Sequence, residues 1–158
     1  MAAAGINHVS IVTRDLDESE RFYAELFGAE RLVSPNFGVP VRWLRIGDAQ
    51  IHLLQAGGGG GGLGHFGITV DDLAPVYERA RALDALDRAV NGHHLWQLPD
   101  GVAQLYLRDP SGNLVEVDAR GAGALPESMR ADLRIVADVQ PQSDENLRAR
   151  LLDGERHR

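Results

Sequence analysis

Residues 6 to 16, INHVSIVTRDL, alternate in polarity: Val9 and Ile11 fall on one side of an extended chain, His8 and Ser10 on the other. A period of two is the mark of a strand with one buried face. The segment 63 to 73, LGHFGITVDDL, superimposes on the first without a gap at an offset of 57, which places His65 on His8. Phe66, Ile68 and Val70 repeat the apolar side, so the chain carries an internal repeat whose histidines point away from the core.

A helix signal follows each strand. Asp15 with Glu18 can form a capping box, and Phe22, Tyr23, Leu26 and Phe27 recur at helical spacing up to a Gly28 stop. In the second copy Asp72 can cap, Pro75 is tolerated in a first turn, and Val76, Tyr77, Ala80 and Leu83 form the buried stripe. Strand-like runs then occupy 30–34, 40–46 and 49–54 in the first copy and 88–98, 102–108 and 113–118 in the second. The pattern predicts an α+β fold of two tandem βαβββ units, 5–55 and 63–118, in one domain spanning 1–120. The stretch 56–64, with six consecutive glycines, reads as a linker. Residues 121–158 lie beyond the repeat, and SMRADLRIV and ENLRARLL suggest a short helical tail without chemistry of its own.

Register can be argued from the hairpin at Gly47 and Asp48. A two-residue turn opposes Ile46 to Ala49, Arg45 to Gln50, Leu44 to Ile51 and Trp43 to His52. Ile51 and Leu53 suit the apolar side, leaving Trp43, Arg45, Gln50 and His52 on the front with the repeat histidines. In the last strand Val115 and Val117 face back, so Leu114, Glu116 and Asp118 face forward. Glu116 matches His52 at an offset of 64, and pseudo-twofold symmetry brings His8, His52, His65 and Glu116 to one point. Imidazoles and a carboxylate suit one divalent transition ion such as Zn, Ni, Co, Mn or Fe. Three neutral histidines and one carboxylate leave that ion at a net +1, able to polarise a bound carbonyl. Gln50 is an alternative fourth ligand, Trp43 a wall and Arg45 a solvated or paired strand residue; His93 and His94 fit surface or supporting positions better than ligation.

Composition narrows the chemistry further. A chain of 158 residues can bury a core without staples. It has no cysteine, which excludes disulfides, thiolate metal sites and a cysteine nucleophile. A formal charge of −7 without a basic run disfavours nucleic acid and anionic membranes. No stretch approaches the roughly 18 apolar residues of a membrane span, and the N-terminus lacks the layout of an export signal, so a cytoplasmic protein is expected.

INHVSIVTRDL, ERFYAELFG, GHFGITVDDL and LRDPSGNLVEV together resemble the glyoxalase, bleomycin resistance and extradiol dioxygenase superfamily over about residues 5–118. The resemblance implies a curved, incomplete barrel around a metal that chelates two neighbouring substrate oxygens. His8 matches the first-strand ligand, His65 the fifth-strand ligand and Glu116 the last-strand carboxylate, which also becomes the general base. His52 stands where glyoxalase I has glutamate and methylmalonyl epimerases have glutamine. Tyr106, just before the DPSGN turn, resembles a pocket tyrosine of fosfomycin-modifying relatives. Trp43, Arg45, Gln50 and Tyr106 are thus the expected substrate-binding residues, and a homodimer is the expected assembly. The implied function is metal-dependent lyase or isomerase chemistry on a small oxygen-rich molecule. The alternatives are an Fe(II) extradiol-type dioxygenase and a metal-free protein that sequesters a drug or other small ligand.

Overall fold

Strand β1, His8–Thr13, shows the expected alternation: His8, Ser10 and Val12 are exposed while Val9 and Ile11 turn inward. In the computed structural model residues 8–34, 40–56, 64–89 and 92–152 are described. Most of the expected glycine linker, 57–63, lies outside them. Helix α1, Leu16–Phe27, begins at Asp15, whose carboxylate accepts the Glu18 N–H at 2.8 Å. It stops at Gly28, where φ of 64° lets the Gly28 and Ala29 N–H groups turn back onto the Ala24 and Tyr23 carbonyls. Phe22, Tyr23 and Leu26 form its buried stripe.

Strands β2 (Glu30–Leu32), β3 (Val41–Ile46) and β4 (Ala49–Gln55) complete an open sheet in the order β1-β4-β3-β2. The hairpin register is the one the turn dictates, with Trp43 opposite His52, Arg45 opposite Gln50, and Leu44 opposite Ile51. Gly47, at φ 55°, supplies the left-handed turn residue. Parallel pairing of β1 with β4 sets His8 opposite Gln50 and Ser10 opposite His52.

The second sheet runs β5-β8-β7-β6-β9, from β5 (His65–Thr69), β6 (Leu95–Gln97), β7 (Ala103–Arg108), β8 (Leu114–Ala119) and β9 (Arg134–Ile135). Helix α2, Ala74–Ala82, buries Val76, Tyr77 and Ala80, and Asp72 accepts the Ala74 N–H at 3.0 Å. With helices placed between strands as the repeat requires, the fold is α+β with two open sheets and two βαβββ units.

Contacts divide the chain into two compact units that do not coincide with the repeat boundaries: Met1–Phe66 with Arg108–Val115, and Gly67–Leu107 with Glu116–Arg158. The DPSGN turn explains the exchange of Arg108–Val115 into the first unit. Buried Asp109 accepts hydrogen bonds from Tyr23 Oη (3.0 Å), Ser111 N (2.9 Å), Asn113 N (2.8 Å) and Asn113 Nδ2 (2.8 Å). Ser111 Oγ lies 2.7 Å from Thr13 Oγ1 and accepts the Arg14 N–H, while Asn113 Nδ2 also donates to the Val12 carbonyl. Thr13 and Ser19 are fully buried polar residues because these partners satisfy them.

Two expectations need correction. The run 88–98 is a strand only over β6, because 92–94 bend to bury His93 and His94. SMRADLRIV is not one helix: α3 (Glu127–Arg130) is followed by β9, which pairs in parallel with β6, and then by α4 (Val136–Val139). The tail is docked, since Met129 is buried to 1 % exposure, a burial worth roughly 1.5–3 kcal/mol. Among the described residues no helix is long and apolar enough to cross a membrane.

Candidate functional site

In the first unit the front of the sheet carries a three-ring stack. The His52 imidazole lies between Trp43 and His8, with both ring centroids 4.2 Å away and interplanar angles of 6° and 18°. Its Nε2 is 2.9 Å from Gln50 Oε1, an acceptor, so that nitrogen carries the hydrogen. Burial and the neighbouring His8 hold the His52 pKa below its ordinary value, which favours the neutral ring that metals require. The sequence thus brings His8, Trp43, Gln50 and His52 together through the β1-β4-β3 register. Arg45 shares the face but its guanidinium pairs with Glu30, the residue opposite it on β2. His65 lies exposed at the start of β5.

In the second unit β8 presents Glu116 and Asp118 on one face, both nearly fully buried. They face Gly67 of β5: a Cβ built there would sit 3.2 Å from Asp118 Oδ2 and 3.7 Å from Glu116 Oε1. The bare glycine therefore leaves room for the two carboxyl groups. Burial first, and then the adjacent Glu116 charge and a hydrogen bond with Glu116, raise the Asp118 carboxyl to about 7. Asp118 is therefore about half protonated near neutral pH. Gln104 hydrogen-bonds Asp118, and the Tyr106 hydroxyl donates to Gln104 Oε1 at 3.3 Å, which ties buried Tyr106 to the carboxyl pair. Asp118 Oδ1 is buried without a hydrogen-bond partner. Asp118 was legible as a forward-facing residue two positions after Glu116, but the role of Gly67 emerges only from its approach to both side chains.

Within each unit the donors suit a divalent ion in chemistry: in the first, imidazole rings, of which His52 is held towards its neutral form; in the second, a buried carboxyl pair with an orphaned oxygen on Asp118. One adjustment is needed in the first unit. Lone pairs of imidazole lie in the ring plane, and two nearly parallel rings cannot aim at a single ion, so His8 and His52 ligate together only after one ring turns. Of the surface or supporting positions expected for His93 and His94, the surface one is overturned: both are buried beside Asp132 of the tail.

Residues 5–117 match the model of the Glyoxalase/Bleomycin resistance protein/Dioxygenase superfamily, and the chain belongs to that superfamily. It is 27% identical over 131 residues to the mitochondrial methylmalonyl-CoA epimerase of Mus musculus, covering 72% of this chain and 71% of that protein. Among solved structures it is similar to a lactoylglutathione lyase from Agrobacterium tumefaciens, at 27% identity and a TM-score of 0.58, over 79% of this chain and all of that one. The fold is also that of the fosfomycin resistance protein FosX from Listeria monocytogenes, solved with Mn(II) and sulfate, at 17% identity and a TM-score of 0.59, over 82% and 99% of the two chains.

Proposed function

We propose that this chain is a divalent-metal-dependent enzyme of lyase or isomerase type, acting on a small oxygen-rich substrate, with His8, His52, His65 and Glu116 as metal ligands and Glu116 as the proton-moving group. The buried Glu116–Asp118 pair over bare Gly67 carries the reading: two carboxyl groups shielded from water and side by side, one of them titrating near neutral pH, are equipped to take and return a proton. An epimerase and a lyase among the similar proteins favour the same class of chemistry.

A divalent ion held by His8, His52, His65 and Glu116 would supply Lewis acidity towards an oxygen-rich substrate. Glu116 accepts a proton from the substrate carbon, while Asp118 hydrogen-bonds the carboxylate and keeps it aimed. Gln104 and Tyr106 extend this support, and Trp43 with the stacked His52 forms a flat apolar wall for substrate. Arg45 contacts substrate only at the expense of its Glu30 pair. A homodimer in the cytoplasm, free of membrane and nucleic acid, completes the proposal.

Glu116→Gln is the test. Turnover should fall at least ~100-fold with circular dichroism unchanged, the magnitude of a lost general base; retained turnover in the folded variant contradicts Glu116 as the base.

The ring stack on the first sheet favours one other reading, sequestration of a planar ligand. Equilibrium dialysis separates the two, because ligand binding of undiminished strength after complete chelation supports sequestration and weakened binding supports the metal-dependent enzyme.

A further inference from the structure

The second unit carries a cluster that the repeat does not account for. Among the described residues, His93, His94 and Asp132 form a group of three whose ligand atoms all lie within 4.8 Å of one another. Two come from the bend before β6 and the third from the segment after α3, in the tail beyond the matched family region.

His94 is fully buried, and its Nε2 makes no hydrogen bond. Asp132 Oδ2 approaches it to 2.7 Å, near enough for charge attraction, but not along the N–H direction. The attraction to Asp132 offsets part of the cost of this poorly aligned contact, and a cation coordinated by both groups would satisfy each more fully. The two imidazoles have centroids 4.6 Å apart and planes tilted by 38°, so their planes converge nearer to the rings than the 18° stack of His8 and His52 allows, and the ligand atoms of both lie within 4.8 Å of Asp132. Asp132 is oriented from behind by the Tyr77 hydroxyl, which donates to Oδ2 at 3.0 Å. The His93 backbone is fixed by the Trp96 indole N–H, donating to its carbonyl at 2.9 Å. These outer contacts are the kind that hold ligands in place around a metal.

We propose that His93, His94 and Asp132 form a second divalent-cation site, of the zinc class, which staples the C-terminal tail to the second unit. Two neutral imidazoles and one carboxylate are the donors that Zn²⁺ or Co²⁺ take in tetrahedral sites, with water filling the remaining position. An ion there replaces the hydrogen through which His93 Nε2 bonds the Asp132 carbonyl oxygen. It also competes with Arg88, whose Nε donates to His94 Nδ1 at 3.2 Å and so keeps the His94 hydrogen on Nε2. Arg88 is exposed and can swing aside; until it does, its charge and its hydrogen bond both oppose an incoming cation. Arg88 is thereby a competitor that sets the affinity of the site.

The site is independent of the one built on Glu116, and equilibrium dialysis of the full chain against Zn²⁺, with elemental analysis, reads it directly. Asp132→Asn should lose one bound ion per chain, or weaken it roughly 100-fold or more, while keeping the fold, since it preserves volume and the Tyr77 contact. His94→Gln should lose the same ion. Glu116→Gln should leave that ion in place. Arg88→Ala should tighten it roughly tenfold, the effect of removing one charge-assisted hydrogen bond that competes with the metal. A cluster that is merely a hydrogen-bonded latch gives the opposite pattern: ion content unchanged in folded Asp132→Asn, and no tightening in Arg88→Ala. Either result overturns the proposal. If His94→Gln fails to fold, Asp132→Asn and Arg88→Ala still decide the outcome.

Discussion

His8 and His52 lie face to face, with ring centroids 4.2 Å apart and planes 18° from parallel, although they sit on neighbouring parallel strands two positions out of register. Trp43 closes the other side of His52, so the imidazole is held in a stack rather than aimed at a point. Ligation by both histidines therefore requires a ring to turn, at the cost of the His8–His52 stack and, where His52 turns, of its Gln50 hydrogen bond.

This geometry bears on the fourth ligand. Imidazole is the better donor, so His52→Ala should weaken divalent-ion binding at the Glu116 site by about tenfold or more, while Gln50→Ala should have a smaller effect. Calorimetric titration of the two variants checks this, and a larger loss in Gln50→Ala shows that the amide, not the imidazole, is the ligand.

Gly67 offers a probe of the carboxyl pair that leaves both carboxyl groups in place. Gly67→Ala sets a methyl 3.2 Å from Asp118 Oδ2 and 3.7 Å from Glu116 Oε1. Displacing the carboxyl groups by a few tenths of an ångström should lower kcat about tenfold or more with a stability loss of only ~1 kcal/mol. Steady-state kinetics and urea unfolding on the same preparation give both numbers. Full activity in Gly67→Ala shows that the pair's position is not critical.

How much of this was legible in the sequence depends on how local the cause is. The Trp43–His52 and Arg45–Gln50 register follows from a two-residue turn, and α1 from a cap at Asp15 and a stop at Gly28; both causes lie within a few residues and both are observed. By contrast, nothing in the local pattern marks Thr13 and Ser19 for burial, yet both are fully buried, with Ser111 reaching them from across the chain. The same is true of His93 and His94, whose partner Asp132 lies in the tail, and of β9, where pairing with β6 overrides a helical pattern. Arg45 could be placed on the front face, but its pairing with Glu30 needed the β2–β3 register. Face and register were readable; partners brought by distant segments were not.

The DPSGN turn yields a stability prediction. Asp109 is 3 % exposed and accepts four hydrogen bonds, so Asp109→Ala leaves several buried donors unmatched and should cost about 3 kcal/mol or more. Tyr23→Phe removes one of the four and should cost about 1 kcal/mol. Urea unfolding measures both, and an Asp109→Ala loss below that of Tyr23→Phe contradicts the central place given to this carboxylate.

Alkaline titration isolates Tyr23. Burial, with the Asp109 charge and hydrogen bond, raises its hydroxyl well above 10. A group whose pKa is raised on folding stabilises the fold fully below its unfolded value, and that contribution is lost as pH rises from 10 through the folded value. The chain contains no lysine, so tyrosines dominate titration in this range, with Tyr77 also raised, chiefly by burial. Stability should decline above pH 10, and Tyr23→Phe should flatten much of that decline. An unchanged slope in the variant locates the effect elsewhere.

Metal content tests the central claim most directly. In the Asp132→Asn chain, where the tail cluster is disabled, protein purified without an affinity tag and equilibrated with a divalent transition ion should retain near one equivalent by elemental mass spectrometry. His8→Ala in that background should fall towards zero. Equal metal in the two proteins, or none in either, contradicts a metal centre built on His8 and Glu116 and leaves the ligand-sequestering protein as the account to pursue.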